Sequence, residues 1–289
     1  MIGRALRIAW PALALALAPA GASTLPAPAQ EAAVGRIVFS GQLVQGGLVH
    51  GFAPVGTSGL MLDGKPIPLG ANGHFIIGFD RDQPASAMLT VERGAAPPIQ
   101  QPLVIAQRAW KIENIDVARR PDGPTAEYQR LRDTELARIA AARAVSSDTA
   151  GWTQPFVLPA HGRISGVFGS QRIYRGEPAA FHSGLDIAGG AGAAVVAPAD
   201  GVVVLAGPPM FSLEGNLVII DHGMGLNSAF LHLSSYRVHQ GQAVKQGEII
   251  GAIGATGRAT GPHLHWSVKW RDARIDPQLL VGASTLTAR

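Results

Sequence analysis

Three short segments hold the side chains best suited to chemistry: His182-Ser-Gly-Leu-Asp186, Phe230-Leu-His232-Leu-Ser and Gly261-Pro-His263-Leu-His265-Trp266. Together they offer four imidazoles and one carboxylate. Two histidines and a carboxylate suffice to hold a catalytic zinc ion, which usually takes three protein ligands and keeps a fourth position open. The remaining two imidazoles can carry the protons of a hydrolysis. The chain has no cysteine, so any metal site must use nitrogen and oxygen donors.

Spacing constrains how these groups can meet. On an ideal strand His182 and Asp186 would share a face about 13 Å apart, too far to grip one ion. A helix would bring them together, but Gly184 and the following Ile-Ala-Gly-Gly disfavour helix. A bend between them is therefore expected, and Gly184 can supply it. His263 and His265, two apart on a strand, point to one face about 6.6 Å from each other. One of them can ligate a metal while the other faces it. His232 sits among apolar residues and draws its interest from this company; His222, in Asp221-His-Gly, reads as a turn residue. His161 and His239 have no supporting context.

The elements that position these groups read as strands. From Pro155 to about Val281, β-branched runs such as Gly201-Val-Val-Val-Leu and Leu217-Val-Ile-Ile are bounded by glycines. This predicts a predominantly antiparallel β domain, residues 155–282, with a groove along one face. Residues 35–114 show short apolar runs between turn signals, among them Asp63-Gly64 and Asn72-Gly73, as in a small β-sandwich-like domain. His50 and His74 fall there without a partner cluster and read as surface or strand-filling residues. Residues 115–150 read as a helical linker, with Pro124 in the first turn of a helix reaching about Val145. Tyr128, Leu131, Ile139 and Ala142 would form its apolar stripe. The fold class expected is thus mainly β, two β regions joined by a helix.

Residues 1–29 read as a secretory signal peptide: Arg4 and Arg7, then an apolar stretch, then small residues near positions 22 or 29. The apolar run is short for a membrane span. Its removal takes the formal charge from +4 to +2, because it carries two arginines and no acids. An exported, periplasmic or envelope-associated protein, possessing no nucleic-acid-binding stripe and no stable membrane span after processing, is the expectation.

The chemistry-bearing segments, taken with their surroundings, resemble the lysostaphin-type (LytM-type) zinc metallopeptidase family. The resemblance spans roughly residues 162–281. It includes Val167-Phe-Gly-Ser, His182-Ser-Gly-Leu-Asp186-Ile-Ala, Ala197-Pro-Ala-Asp-Gly-Val-Val, Asp221-His-Gly, Leu231-His-Leu, Val244-Lys-Gln-Gly-Glu and Gly254-Ala-Thr-Gly-Arg-Ala-Thr-Gly-Pro-His-Leu-His. It implies that His182, Asp186 and His265 ligate Zn2+ and that His232 and His263 are the catalytic histidines. It also implies a β-rich domain with a substrate groove, acting as an endopeptidase on cross-link or stem peptides of bacterial peptidoglycan. The chain departs from the family's usual pattern in Phe230-Leu231, in Trp266-Ser267 and in a longer stretch over Gln171–Ala180. Some relatives have lost ligands and regulate other cell-wall hydrolases, which makes a non-catalytic regulator the alternative. The N-terminal β region matches no targeting module common in relatives; it could act as an adaptor, or it or the helix could cover the groove.

Overall fold

The β-branched runs of the C-terminal part assemble into one eight-stranded sheet. Its strands run, edge to edge, Ala243–Val244, Gly201–Leu205, Asn216–Asp221, Leu226–Leu233, Leu264–Trp270, Leu185–Ala188 and Arg163–Gly166, with Ala273–Ile275 also paired to Leu264–Trp270. Every pairing is antiparallel. The structure, a computed structural model, describes residues 37–118 and 125–281. The proposed signal peptide and Pro124 lie outside these residues.

The central strands are buried on both faces, and their alternation assigns each side chain to one of two cores. Val218, Ile220, Phe230, Trp266 and Val268 join the larger core. Leu217, Ile219 and Ala229 face the other way, where Ile139 and Ala142 of the helix Ala126–Arg143 cover them. The N-terminal residues form two antiparallel sheets, Val38–Gly41/Leu48–Phe52/His74–Gly78 and Lys65–Ile67/Gly59–Leu62/Ser86–Arg93/Ala96–Val104. Asp63 and Gly64 both take positive φ, 48° and 75°, the geometry a tight two-residue hairpin requires. Asn72-Gly73 also turns, but the strand it introduces pairs with Leu48–Phe52 in the other sheet.

The N-terminal and C-terminal β regions share one continuous core, in which Val49, Phe75, Leu89 and Val91 pack with Leu185, Phe230 and Trp266. Ion pairs reinforce the junction. Arg274 binds both carboxylate oxygens of Asp80 at 2.9 Å, and Arg108 reaches the buried Asp276 at 2.8 Å. The strand Ile112–Ile115 pairs in parallel with Gln171–Tyr174, which folds back on Glu177–Pro178 through Arg175-Gly176. The long stretch at Gln171–Ala180 is therefore a hairpin seated on a strand from the preceding region.

The helix corrects part of the apolar stripe expected for it. Ile139 and Ala142 do pack inward, but Leu131 is exposed and its place in the buried face is taken by Arg132 and Glu135. Its attachment is largely ionic. Arg132 grips both oxygens of Glu214 at 2.8 and 3.0 Å and also pairs with Glu135, which accepts the backbone N–H and the hydroxyl of Ser212 at 2.6 and 2.7 Å. Thr125 caps the N-terminus by accepting the Tyr128 N–H. Among the described residues no helix is long and apolar enough to cross a membrane.

Candidate metal centre

Asp186 and His265 are direct cross-strand partners, and His265 is in turn opposite Leu231. Directly paired residues project to one face of a sheet, so the site and the helix occupy the same face. His182 approaches from the segment before Leu185–Ala188, where the chain bends at Gly184 as its neighbours' spacing requires. Gly184 is constrained by space more than by φ. A Cβ there would lie 2.5 Å from the Trp266 carbonyl oxygen and 2.7 Å from His265 Nε2.

The candidate donor atoms converge. Asp186 Oδ1 lies 3.0 Å from His182 Nε2 and 2.8 Å from His265 Nδ1, and the two ring nitrogens are 3.1 Å apart. Among the described residues, His182, Asp186 and His265 form the one cluster whose donor atoms all fall within 4.8 Å of one another. His182 Nδ1 meets the Val167 carbonyl at 3.0 Å. That contact fixes the tautomer with Nε2 directed at the cluster, the usual support of a ligating imidazole. Burial opposes ionisation of Asp186, but the His182 and His265 rings set against its Oδ1 outweigh it and hold the carboxyl well below its ordinary range. Two imidazole nitrogens and an ionised carboxylate form a donor set that suits zinc and leaves a position for substrate.

His232 and His263 stand beside this cluster with ring centroids 4.9 Å apart. His263 Nδ1 meets the Gly261 carbonyl at 2.8 Å, and its Nε2 is 3.9 Å from Asp186 Oδ1. His232 Nδ1 meets the Thr256 carbonyl at 2.8 Å, which leaves its Nε2 for the groove. Burial lowers the His232 pKa, favouring the neutral ring whose free nitrogen accepts a proton. Its backbone is unusual. Between the pairs Asn216/Leu233 and Val218/Phe230 the strand carries one extra residue, and His232 there has φ of 64°. This bulge turns an apolar strand's histidine toward the site, and its N–H is held by the Glu214 carbonyl at 2.8 Å.

All five residues line one hollow of about 400 Å³. It continues past His182, Asp186 and Arg258 into a second hollow of about 700 Å³, walled on one side by Lys111, Glu113 and the Gln171–Tyr174 hairpin. The sequence did not single out Val167, Thr256 and Gly261 individually as ring holders, because each acts through its backbone carbonyl. Nor did it indicate that residues 111–113 reach the groove. His222 lies in the turn between the strands Asn216–Asp221 and Leu226–Leu233, in keeping with its reading as a turn residue, but it is also fully buried, its ring bonded to the Asp200 carbonyl and the Ser228 hydroxyl, both at 2.8 Å. His50 and His74 do have partners: they lie 3.2 Å apart and pack against Trp152.

Comparison with known proteins agrees with this geometry. Residues 180–277 match the model of Peptidase family M23. A crystal structure from Pseudomonas aeruginosa, classed with the M23 peptidases, is 30% identical and superposes with a TM-score of 0.63 over 84% of this chain and 96% of that one. The peptidoglycan DD-endopeptidase ShyA of Vibrio cholerae is 39% identical over 116 residues, 40% of this chain and 26% of the relative. The murein hydrolase activator NlpD of Escherichia coli is 34% identical over 119 residues, 41% of this chain and 29% of the relative. The chain thus spans little more than a quarter of the length of these two curated relatives.

Proposed function

The chain belongs to peptidase family M23, and from that premise we propose that it is a zinc-dependent endopeptidase of the cell envelope that hydrolyses peptide cross-links or stem peptides of peptidoglycan. The observation that carries this reading is the complete set of five side chains on one groove. His182, Asp186 and His265 would hold the ion, and His232 and His263 flank it with Nε2 free. Bound zinc supplies a Lewis acid that polarises the scissile carbonyl and acidifies water.

The chain's own groups supply the rest. His232, neutral and with Nδ1 committed to Thr256, accepts a proton at Nε2 as water attacks. His263, with Nδ1 committed to Gly261, is positioned in its protonated form to donate at Nε2 to the departing amine or to the developing oxyanion. The two rings are close enough to exchange these roles. The hollow that holds the cluster continues past His182 and Arg258 into a larger one, which gives room for a peptide extending beyond the cut.

The test is digestion of purified peptidoglycan by the zinc-loaded protein and by Asp186→Ala, with released fragments identified by mass spectrometry. New peptide ends from the zinc form alone are expected. A second reading, a regulator of other hydrolases, is favoured by the likeness to a relative named as an activator. It would be preferred if the zinc-loaded protein cut nothing yet stimulated a separate amidase on the same wall preparation. Export to the periplasm or envelope belongs to the same proposal.

A further inference from the structure

The charges of the groove do not cancel. Asp186 is committed to the metal cluster, Glu214 to Arg132, and Glu113 to Arg172 at 2.9 Å. Among the described residues, Lys111 and Arg258 line the groove with no ion-pair or side-chain hydrogen-bond partner. Both are exposed to solvent. The groove therefore offers two spare positive charges to whatever enters it.

Arg258 has the more telling position. With His182 and Asp186 it lines both hollows, and so it stands where they meet at the metal cluster. Its loop is pinned, since the Arg258 N–H bonds to the Leu213 carbonyl at 2.9 Å. Gly257, at φ 71°, packs so closely on Gly215 that a Cβ would lie 2.3 Å from its nitrogen. The backbone is thus fixed while the guanidinium, free of side-chain partners, faces the groove, where it can match a planar carboxylate in two-pronged fashion.

Resting on the endopeptidase reading, we infer that Arg258 anchors a free carboxylate borne on the carbon attached to the scissile nitrogen. That chemistry has two sources in wall peptides. One is a diamino diacid whose side-chain amine forms a direct cross-link; the other is a C-terminal amino acid. A glycine bridge carries no such group. The groove is thus built for direct links or chain ends in preference to glycine bridges, and Lys111 serves a second acidic group farther from the cut.

Fluorescence anisotropy tests this with His263→Ala, which retains the proposed ligands and leaves peptides intact. Four labelled peptides are compared: a direct D-alanine to diaminopimelate link with the carboxylate free, the same link amidated, an uncrosslinked peptide ending in D-alanyl-D-alanine, and a glycine bridge. Amidation is expected to weaken binding about ten-fold, the glycine bridge to bind as the amidated peptide does, and added Arg258→Gln to erase the difference with the melting temperature unchanged. Tighter binding of the cross-link than of the uncrosslinked peptide assigns the anchor to the former source, and the reverse to chain ends. Equal affinity for free and amidated peptides, or a preference that survives Arg258→Gln or is lost only in Lys111→Gln, overturns the assignment. Parallel cleavage assays with the unsubstituted protein report separately on the endopeptidase reading: failure to cut any of them would sink that reading while the binding comparison stood.

Discussion

Arg132 holds Glu214 through both terminal nitrogens, at 2.8 and 3.0 Å, and the backbone carbonyl of the same Glu214 takes the N–H of His232 at 2.8 Å. The helix is thereby tied to one of the two candidate catalytic histidines. Its hold is on the very residue whose positive φ needs support from its surroundings.

Replacing Arg132 with methionine would leave Glu135 and Glu214 together without their cation. Breaking a buried pair in this way costs about 3–5 kcal/mol, so a loss at the upper part of the ordinary range for single substitutions is expected in chemical denaturation. Hydrogen exchange should accelerate at Gly215 and His232. Arg132→Lys, which keeps charge but not the fork, should recover only part of the loss. Unchanged exchange at His232 would mean that the bulge is held by Thr256 and its strand alone.

The two groups of histidines should separate in metal analysis. Asp186→Ala removes the one carboxylate that contacts both proposed ligand rings, and zinc retained after gel filtration should fall from near stoichiometric to near zero. His263→Ala should keep its zinc, because its Nε2 stands 3.9 Å from Asp186 and outside the three-donor cluster. Its cleavage rate should nonetheless drop by roughly 10²–10⁴-fold, the usual worth of a positioned acid or base. Loss of zinc from His263→Ala would move that residue into the ligand set.

Much of this centre was legible beforehand because its logic is local. His263 and His265 share a face through the two-residue period of a strand, and a glycine between His182 and Asp186 announces the bend. What stayed hidden depends on contacts remote in sequence. The apolar spacing of Tyr128, Leu131, Ile139 and Ala142 suggested an oily stripe, yet the Ser212 hydrogen bond to Glu135 and the Arg132–Glu214 ion pair bring a polar part of the helix face into the interior. His50 and His74 meet because their strands are neighbours in one sheet. A backbone carbonyl such as that of Thr256 leaves no trace in residue type, and neither does a parallel pairing between Ile112–Ile115 and Gln171–Tyr174.

Gly184→Ala tests the bend itself. The new methyl carbon would meet the Trp266 carbonyl oxygen at 2.5 Å, and backbone in a central strand cannot move aside cheaply. Overpacking of this kind costs about 1–3 kcal/mol. The same methyl crowds His265 Nε2 at 2.7 Å, so zinc affinity should weaken as well. A variant with parental stability and parental affinity would show that the segment His182–Leu185 relaxes freely.

Acid should destabilise the fold through His222, which is not part of the candidate metal centre. Burial pushes its pKa down to about 4 from an ordinary 6.5, with the Asp200 carbonyl only partly opposing. The sign follows from proton uptake: between about pH 6.5 and 4 the unfolded chain binds the proton and the folded chain does not, so stability falls as pH drops through this window. The contribution is complete above the upper bound and exhausted below the lower one, and a shift of this size corresponds to something on the order of 3 kcal/mol. His74, also pushed down to about 4 by burial and then by His50, acts in the same direction. Urea denaturation of metal-free protein at pH 7 and pH 4.5 should therefore show a smaller difference for His222→Asn, which can still donate to Asp200 but does not titrate. A reduction of about 2 kcal/mol in that difference is expected, whatever the variant's stability at pH 7. An identical pH difference in the two proteins would place the acid sensitivity elsewhere.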